Sequence, residues 1–292
     1  MGRKAILTVV LALMLTGRCL GAPEVPAPSW ILMDRTTGTV LGEQEADRQL
    51  APASVTKIMT LLLVMEALDR GQLQWDQMVT TSAAAAAKGG SQIYLEENEE
   101  MSLRDMVKCV VVSSANDCAA ALAEAVAGSE DAFVEQMNRR AEELGMTHTH
   151  FANCTGLDDA AGADVHYTTA RDIAVMSREL LRHDPIRAFT TIWMDTVRNG
   201  AFGLSNTNKL VRFYPGTTGL KTGYTQGAGY CMAASAEREN MELIAVVMHC
   251  QSSTDRFESA KALLEYGFAN YQLVDPVGEE VFPPVPVELG VR

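Results

Sequence analysis

The sequence has no G-x-S-x-G segment, so the nucleophile elbow of the common Ser-His-Asp hydrolases is missing. Its five histidines stand in no recognisable triad context either. It has no lysine-bearing glycine-rich loop; "GGSQ" at 89–92 lacks the lysine that a phosphate cradle of the Walker type requires. Positive charge is scarce: 24 Lys and Arg face 37 Asp and Glu, for a net charge of −13, which argues against nucleic acid and against an anionic membrane surface as partners. No internal repeat is present, and the Ala83–Ala87 run is the one low-complexity stretch.

No segment beyond the N-terminus is long and apolar enough to span a bilayer, and the apolar run that stands at the N-terminus is itself too short for a membrane span. There "GRK" precedes the apolar "AILTVVLALMLTG" and the small-residue exit "RCLGA", the grammar of a secretory signal peptide ending at Gly21. A lipoprotein reading through Cys19 is weaker, because Arg18 occupies a position that needs a small residue. The chain is therefore expected to be exported and to work outside the cytoplasm, in the cell envelope. Five cysteines follow the leader, an odd number with no framework spacing, and they read as small buried hydrophobes. A Cys231–Cys250 bridge across a hairpin is the one pairing the sequence suggests.

What is present is 292 residues, 47% hydrophobic, enough for a large core. "SWILMDRTTGTVLGEQEA" reads as a β-hairpin. From about residue 80 to 184 the pattern is mostly helical, with capping pairs Ser102/Asp105 and Thr169/Asp172. "TGLKTGYT", "GYCMAASAE" and "MELIAVVMHC" are strand-like, and "RFESAKALLEYGFANYQ" closes as a helix. Hairpin, helices, strands, helix is the order of an α+β domain whose antiparallel sheet joins the N-terminal hairpin to the late strands around an inserted helical region. The Pro-rich "DPVGEEVFPPVPVELGVR" reads as a linker and the start of a further β unit, with residues 276–292 falling outside the main domain.

One apolar helix, "APASVTKIMTLLLVMEAL", carries a lysine three residues after a serine. Positions i and i+3 share a helix face. At an ordinary pKa only ~1 in 2,500 lysines is neutral at pH 7, but burial and a neighbouring cation lower the pKa and create an amine base. Such a base can take the proton of Ser54 and activate it as a nucleophile. A lone S-x-x-K is weak, but here S-x-N follows as Ser114-Ala115-Asn116 and K-T-G as Lys221-Thr222-Gly223. In this pattern Ser114 relays a proton to the leaving group. Asn116 donates to a substrate amide and accepts from Lys57. Lys221 is the second cation, depressing Lys57 and attracting an anionic substrate. Thr222 and Thr225 bind a carboxylate, Gly223 admits the substrate backbone, and the N–H groups of Ser54 and Tyr224 form an oxyanion hole.

With "PASVTKIMT", "SSANDCAAALAE", "HFANCTGLDD", "HYTTARDIA" and "GLKTGYTQGAGYC", the chain resembles the low-molecular-mass penicillin-binding proteins, serine-type D-alanyl-D-alanine carboxypeptidases, over roughly residues 28–275. The resemblance implies a penicillin-recognising fold shared with β-lactamases. It implies an acyl-enzyme on Ser54, peptidoglycan stem peptides ending in D-Ala-D-Ala as substrate, β-lactams as inhibitors, and no cofactor. It also implies an arginine near the last helix that reads the substrate carboxylate, and Arg256 in "SSTDRFES" holds that place. Family members commonly add a β-rich second domain and an amphipathic membrane anchor, so membrane association is expected only through such a C-terminal region.

Two rivals are weighed against this. A β-lactamase of the well-known form uses a glutamate in an E-x-x-L-N loop, and none occurs. A non-turnover sensor of peptidoglycan or penicillin needs no complete triple motif. A zinc site from His148, His150 and Cys154 has no evident fourth ligand, and no metal is expected.

Overall fold

The computed structural model describes residue 21, residues 23–158 and residues 165–274. The leader up to residue 20 and the Pro-rich segment from residue 275 lie outside the described residues.

The first strands, β1 (Ser29–Asp34) and β2 (Val40–Gln44), form the expected hairpin. A 3-10 turn (Ala53–Thr56) runs into α1 (Lys57–Asp69). Next, β3 (Met78–Thr80) and β4 (Glu100–Ser102) pair across a loop that holds α2 (Ala83–Ala86). The helical region continues with α3 (Leu103–Val112), α4 (Asn116–Ala127), α5 (Glu130–Glu143), α6 (Ala170–Leu180) and the short α7 (Arg187–Thr190). A ribbon of β5 (Met194–Val197) and β6 (Phe202–Ser205) precedes α8 (Leu210–Phe213). The meander β7 (Thr217–Thr225), β8 (Gly229–Arg238) and β9 (Met241–Cys250) leads into α9 (Ser253–Asn270).

The main sheet is antiparallel with the order β2-β1-β9-β8-β7, so the N-terminal hairpin is sealed to the last strand, Ile31 opposite Val246. Both faces of this sheet are covered, which is why β1 and β9 read as continuous apolar runs rather than alternating ones. Ile31, Met33, Ile244, Val246 and Met248 face the helical region, while Trp30, Leu32, Leu243, Ala245 and Val247 face α9. Helix α1 is apolar all round and sits in the middle of the helical region, as such a helix must.

The caps follow their side chains: the hydroxyls of Ser102, Ser129, Thr169 and Ser252 each accept the backbone N–H three residues on. The architecture is α+β. The stretch from about residue 80 to 184 is mostly helical as expected, with β4 inside it and the β5–β6 ribbon after it. The five described cysteines are all buried and free, so there is no Cys231–Cys250 bridge; Cys250 lies opposite Tyr230 instead. Among the described residues no helix is long and apolar enough to cross a membrane.

Candidate active site

Ser54 lies on the 3-10 turn before α1, so the S-x-x-K stretch spans a turn and a helix start rather than one regular helix. Lys57 is the first residue of α1 and is fully buried. Its Nζ donates to Ser54 Oγ at 2.9 Å and to the carbonyl of Thr155 at 2.8 Å. Burial pushes the Lys57 amine down to about 7, against a small upward pull from Cys154 and Asp117. Loss of water, one of the two expected causes, is therefore the dominant one, and the repulsion between the two amines falls on Lys221 instead.

Lys221, on β7, is buried too. Burial lowers its amine well below the ordinary lysine range, and the positive charges of Lys57 and Arg256 add to the effect. Its Nζ donates to the carbonyl of Thr222 at 2.9 Å. Two buried amines therefore repel each other beside a half-exposed serine, an arrangement that gains most when an anion arrives.

Ser114 occupies the bend between α3 and α4, with a φ of 62°. A non-glycine residue with that backbone is a local cost accepted for the placement of its side chain. Its Oγ is buried without a hydrogen-bond partner, and so is Oδ1 of Asn116. Buried polar atoms left unpaired cost stability and call for an explanation, and a substrate that pairs with them supplies one. Asn116 does not accept from Lys57, contrary to the sequence reading. Its amide donates to the carbonyl of Gly89 at 2.7 Å, which fixes the 89–95 loop over the start of α4. Asp117 reinforces that fixation by accepting from the N–H groups of Ile93 and Leu95 at 3.1 and 3.0 Å.

Strand β7 runs directly against the Ser54 turn. A Cβ at Gly223 would stand 2.7 Å from the Pro52 carbonyl and 3.0 Å from the N atoms of Ser54 and Val55, so only glycine lets the two segments meet. Thr222 Oγ1 donates to Thr207 Oγ1 at 2.7 Å, and Thr225 Oγ1 accepts from Ala228 N–H at 3.0 Å. Tyr224 is largely exposed and packs its ring 4.3 Å from that of Tyr230. The guanidinium of Arg256, in the first turn of α9, lies 5.4 Å from the Tyr230 ring. It also donates to the carbonyl of Gly223 at 3.1 Å, which ties α9 to β7. Ser54, Lys57, Lys221 and Arg256 are thus gathered at one end of β7. Among the described residues no cluster of His, Cys, Asp and Glu could hold a metal ion, and the Cys154 thiol hydrogen-bonds with Glu130.

Sequence reasoning missed Thr155. Its contribution is a backbone carbonyl, which leaves no side-chain signature. Gly156 seats this loop: with a φ of 77°, a Cβ there would overlap the Ala53 carbonyl oxygen and stand 2.7 Å from Thr56 Oγ1. Gly156→Ala is expected to push the loop off the turn, costing about 2 kcal/mol of stability in denaturant titration and about 100-fold in the rate of Ser54 modification by a β-lactam.

A family profile described as D-alanyl-D-alanine carboxypeptidase matches residues 17–252. The D-alanyl-D-alanine carboxypeptidase DacF of Bacillus subtilis is 45% identical over 249 residues, covering 84% of this chain and 63% of the relative. The chain spans a little under two thirds of the length of the first curated relatives it matches. Among solved structures, penicillin-binding protein 6B from Escherichia coli superposes with a TM-score of 0.82 at 37% identity, covering 89% of this chain and 83% of that one. Penicillin-binding protein D2 from Listeria monocytogenes in its ampicillin-bound form gives 0.76 at 32% identity, covering 84% and 98%.

Proposed function

Because this chain belongs to the D-alanyl-D-alanine carboxypeptidase family and has the fold of the penicillin-binding proteins, we propose that it is a serine-type carboxypeptidase. In this reading it removes the terminal D-alanine from peptidoglycan stem peptides, and β-lactams acylate it. The observation that carries the reading is Lys57 Nζ, buried, 2.9 Å from Ser54 Oγ and held near 7. At pH 7 about half of such an amine is neutral, and only the neutral form can accept a proton.

Ser54 Oγ attacks the carbonyl between the two D-alanines as its proton passes to Lys57. The oxyanion is held by the N–H groups of Ser54 and Tyr224, each worth roughly 3–4 kcal/mol in such a role. The proton then reaches the departing amine through Ser114 Oγ, free D-alanine leaves, and water later cleaves the ester on Ser54. Lys221, Thr222, Thr225 and Arg256 hold the carboxylate end of the substrate, and Asn116 Oδ1 takes a substrate N–H. The catalytic domain spans residues 28–275. Residues 1–21 act as an export leader that delivers it to the cell envelope, where the substrate is.

The test is intact mass after mixing with benzylpenicillin, with peptide mapping, alongside D-alanine release from a D-Ala-D-Ala peptide. A lasting adduct on Ser54 together with release of D-alanine is expected. An adduct without release would make the protein a sensor. Loss of the drug with no lasting adduct would favour a β-lactamase.

A further inference from the structure

The region beside Ser54 contains one histidine that the proposed chemistry does not use. His166 is 7% exposed and makes two hydrogen bonds. Its Nδ1 accepts from the N–H of Ala152 at 3.1 Å, and its Nε2 lies 2.8 Å from Thr56 Oγ1. Because Nδ1 accepts, the neutral ring carries its proton on Nε2 and donates it to Thr56. Burial, with the charge of nearby His150 adding and that of Asp158 opposing, pushes the ring down to about 4, so it is neutral at any working pH. The edge of the aromatic contact with Phe151, centroids 5.8 Å apart, fixes its plane.

The two partners of the ring belong to the two segments that enclose Lys57. Thr56 is fully buried on the turn between Ser54 and Lys57. Ala152 begins the stretch that presents the Thr155 carbonyl to Lys57 Nζ. Thr60 of α1 donates to the Cys154 carbonyl at 2.6 Å, in the middle of that stretch, and His150 and Tyr167 exchange backbone hydrogen bonds just before it. His166 is the side chain that ties its start, at Ala152, to the turn.

We propose that His166 is a positioning residue that clamps the Ser54–Lys57 turn to the Ala152–Gly156 loop and so keeps water away from Lys57 Nζ. The inference rests on the reading of Ser54 and Lys57 as nucleophile and base. The groups that bear on Lys57 electrostatically are Cys154 of the loop, Asp117 of α4 and Lys221 of β7. The clamp changes none of these charges; what it controls is solvent, the largest influence on the amine.

The experiment is an NMR titration of the Lys57 Cε resonance in protein carrying 13C-labelled lysine, with Lys57→Met supplying the assignment. Benzylpenicillin acylation rates are followed over the same pH range. Opening the clamp lets water reach the amine, so in His166→Ala the Lys57 titration and the acid limb of acylation are both expected to move up by about one pH unit or more. His166→Gln, whose amide offers an acceptor and a donor, is expected to restore most of the shift. Thr56→Val removes the partner from the other side, keeps the volume and should reproduce the displacement.

A folded His166→Ala protein with a lower unfolding temperature but an unmoved Lys57 titration would overturn the proposal, leaving His166 a stabilising residue only. Should that variant not fold, an unmoved titration in Thr56→Val would overturn it equally. Wild-type protein that forms no Ser54 adduct would sink the functional reading, while the Lys57 titration would still decide the role of His166.

Discussion

Replacing Lys57 with methionine is expected to abolish β-lactam acylation while making the protein harder to unfold at pH 6. The two effects share one cause. Removing a positioned general base costs about 10²–10⁴ in rate, and in the proposed chemistry the base also prepares the nucleophile, so the upper end of that range is expected. The stability effect comes from the depressed amine. Lys57 falls from its ordinary 10.5 to about 7 on folding, so the unfolded chain binds more protons than the folded one between those values.

Stability must therefore rise with pH through that window. The penalty is fully present below about 7 and is relieved as the pH approaches 10.5. At 1.36 kcal/mol per pH unit the full penalty is on the order of 5 kcal/mol. Methionine removes it and leaves the Thr155 carbonyl and Ser54 hydroxyl without their donor, which returns about 1–3 kcal/mol. Thermal unfolding at pH 6 and pH 9 checks the balance. A Lys57→Met protein less stable than wild type at pH 6 would mean that the amine is not desolvated as the structure shows it. Lys57→Arg is expected to be equally inactive, since a guanidinium cannot act as a base near neutrality.

Ser54→Ala is expected to lose acylation by about 10⁶, the scale found when a serine nucleophile is deleted from a working set. The fold should be unaffected, because Ser54 is only half-buried and Lys57 Nζ keeps the Thr155 carbonyl. Intact mass after long incubation with benzylpenicillin gives the answer. An adduct on the alanine variant, mapped to any other residue, would remove Ser54 from its assigned role. Circular dichroism matching wild type would show that the loss is chemical.

Much of the site was legible because its parts are contiguous. Ser54 and Lys57 are one helical turn apart, and the K-T-G strand announces itself by its glycine. The core strands β1 and β9 were visible as apolar runs bounded by turns. What the sequence could not reveal were partners brought in from far away. Thr155 contributes a carbonyl that any residue could supply, and His166 meets Thr56 across 110 positions. Nor does a motif say where an amide points: Asn116 was assigned to Lys57, and its Nδ2 instead holds the Gly89 loop. The ribbons β3–β4 and β5–β6, at three and four residues a strand, are too short for alternation to show. Of the two causes expected for the depression of Lys57, burial and a neighbouring cation, the fold decides the weight: exclusion of water dominates.

The pairing of β1 with β9 has a consequence in time. Strand β1 sits between β2, which begins at Val40, and a strand that begins only at Met241. A chain emerging N-terminus first therefore holds the serine and its lysine long before it holds the strand that completes their sheet. Non-local pairing of this kind delays folding until the late partner arrives. The five-stranded sheet that sets β7 against the Ser54 turn therefore closes late, when nearly all of the domain has been made.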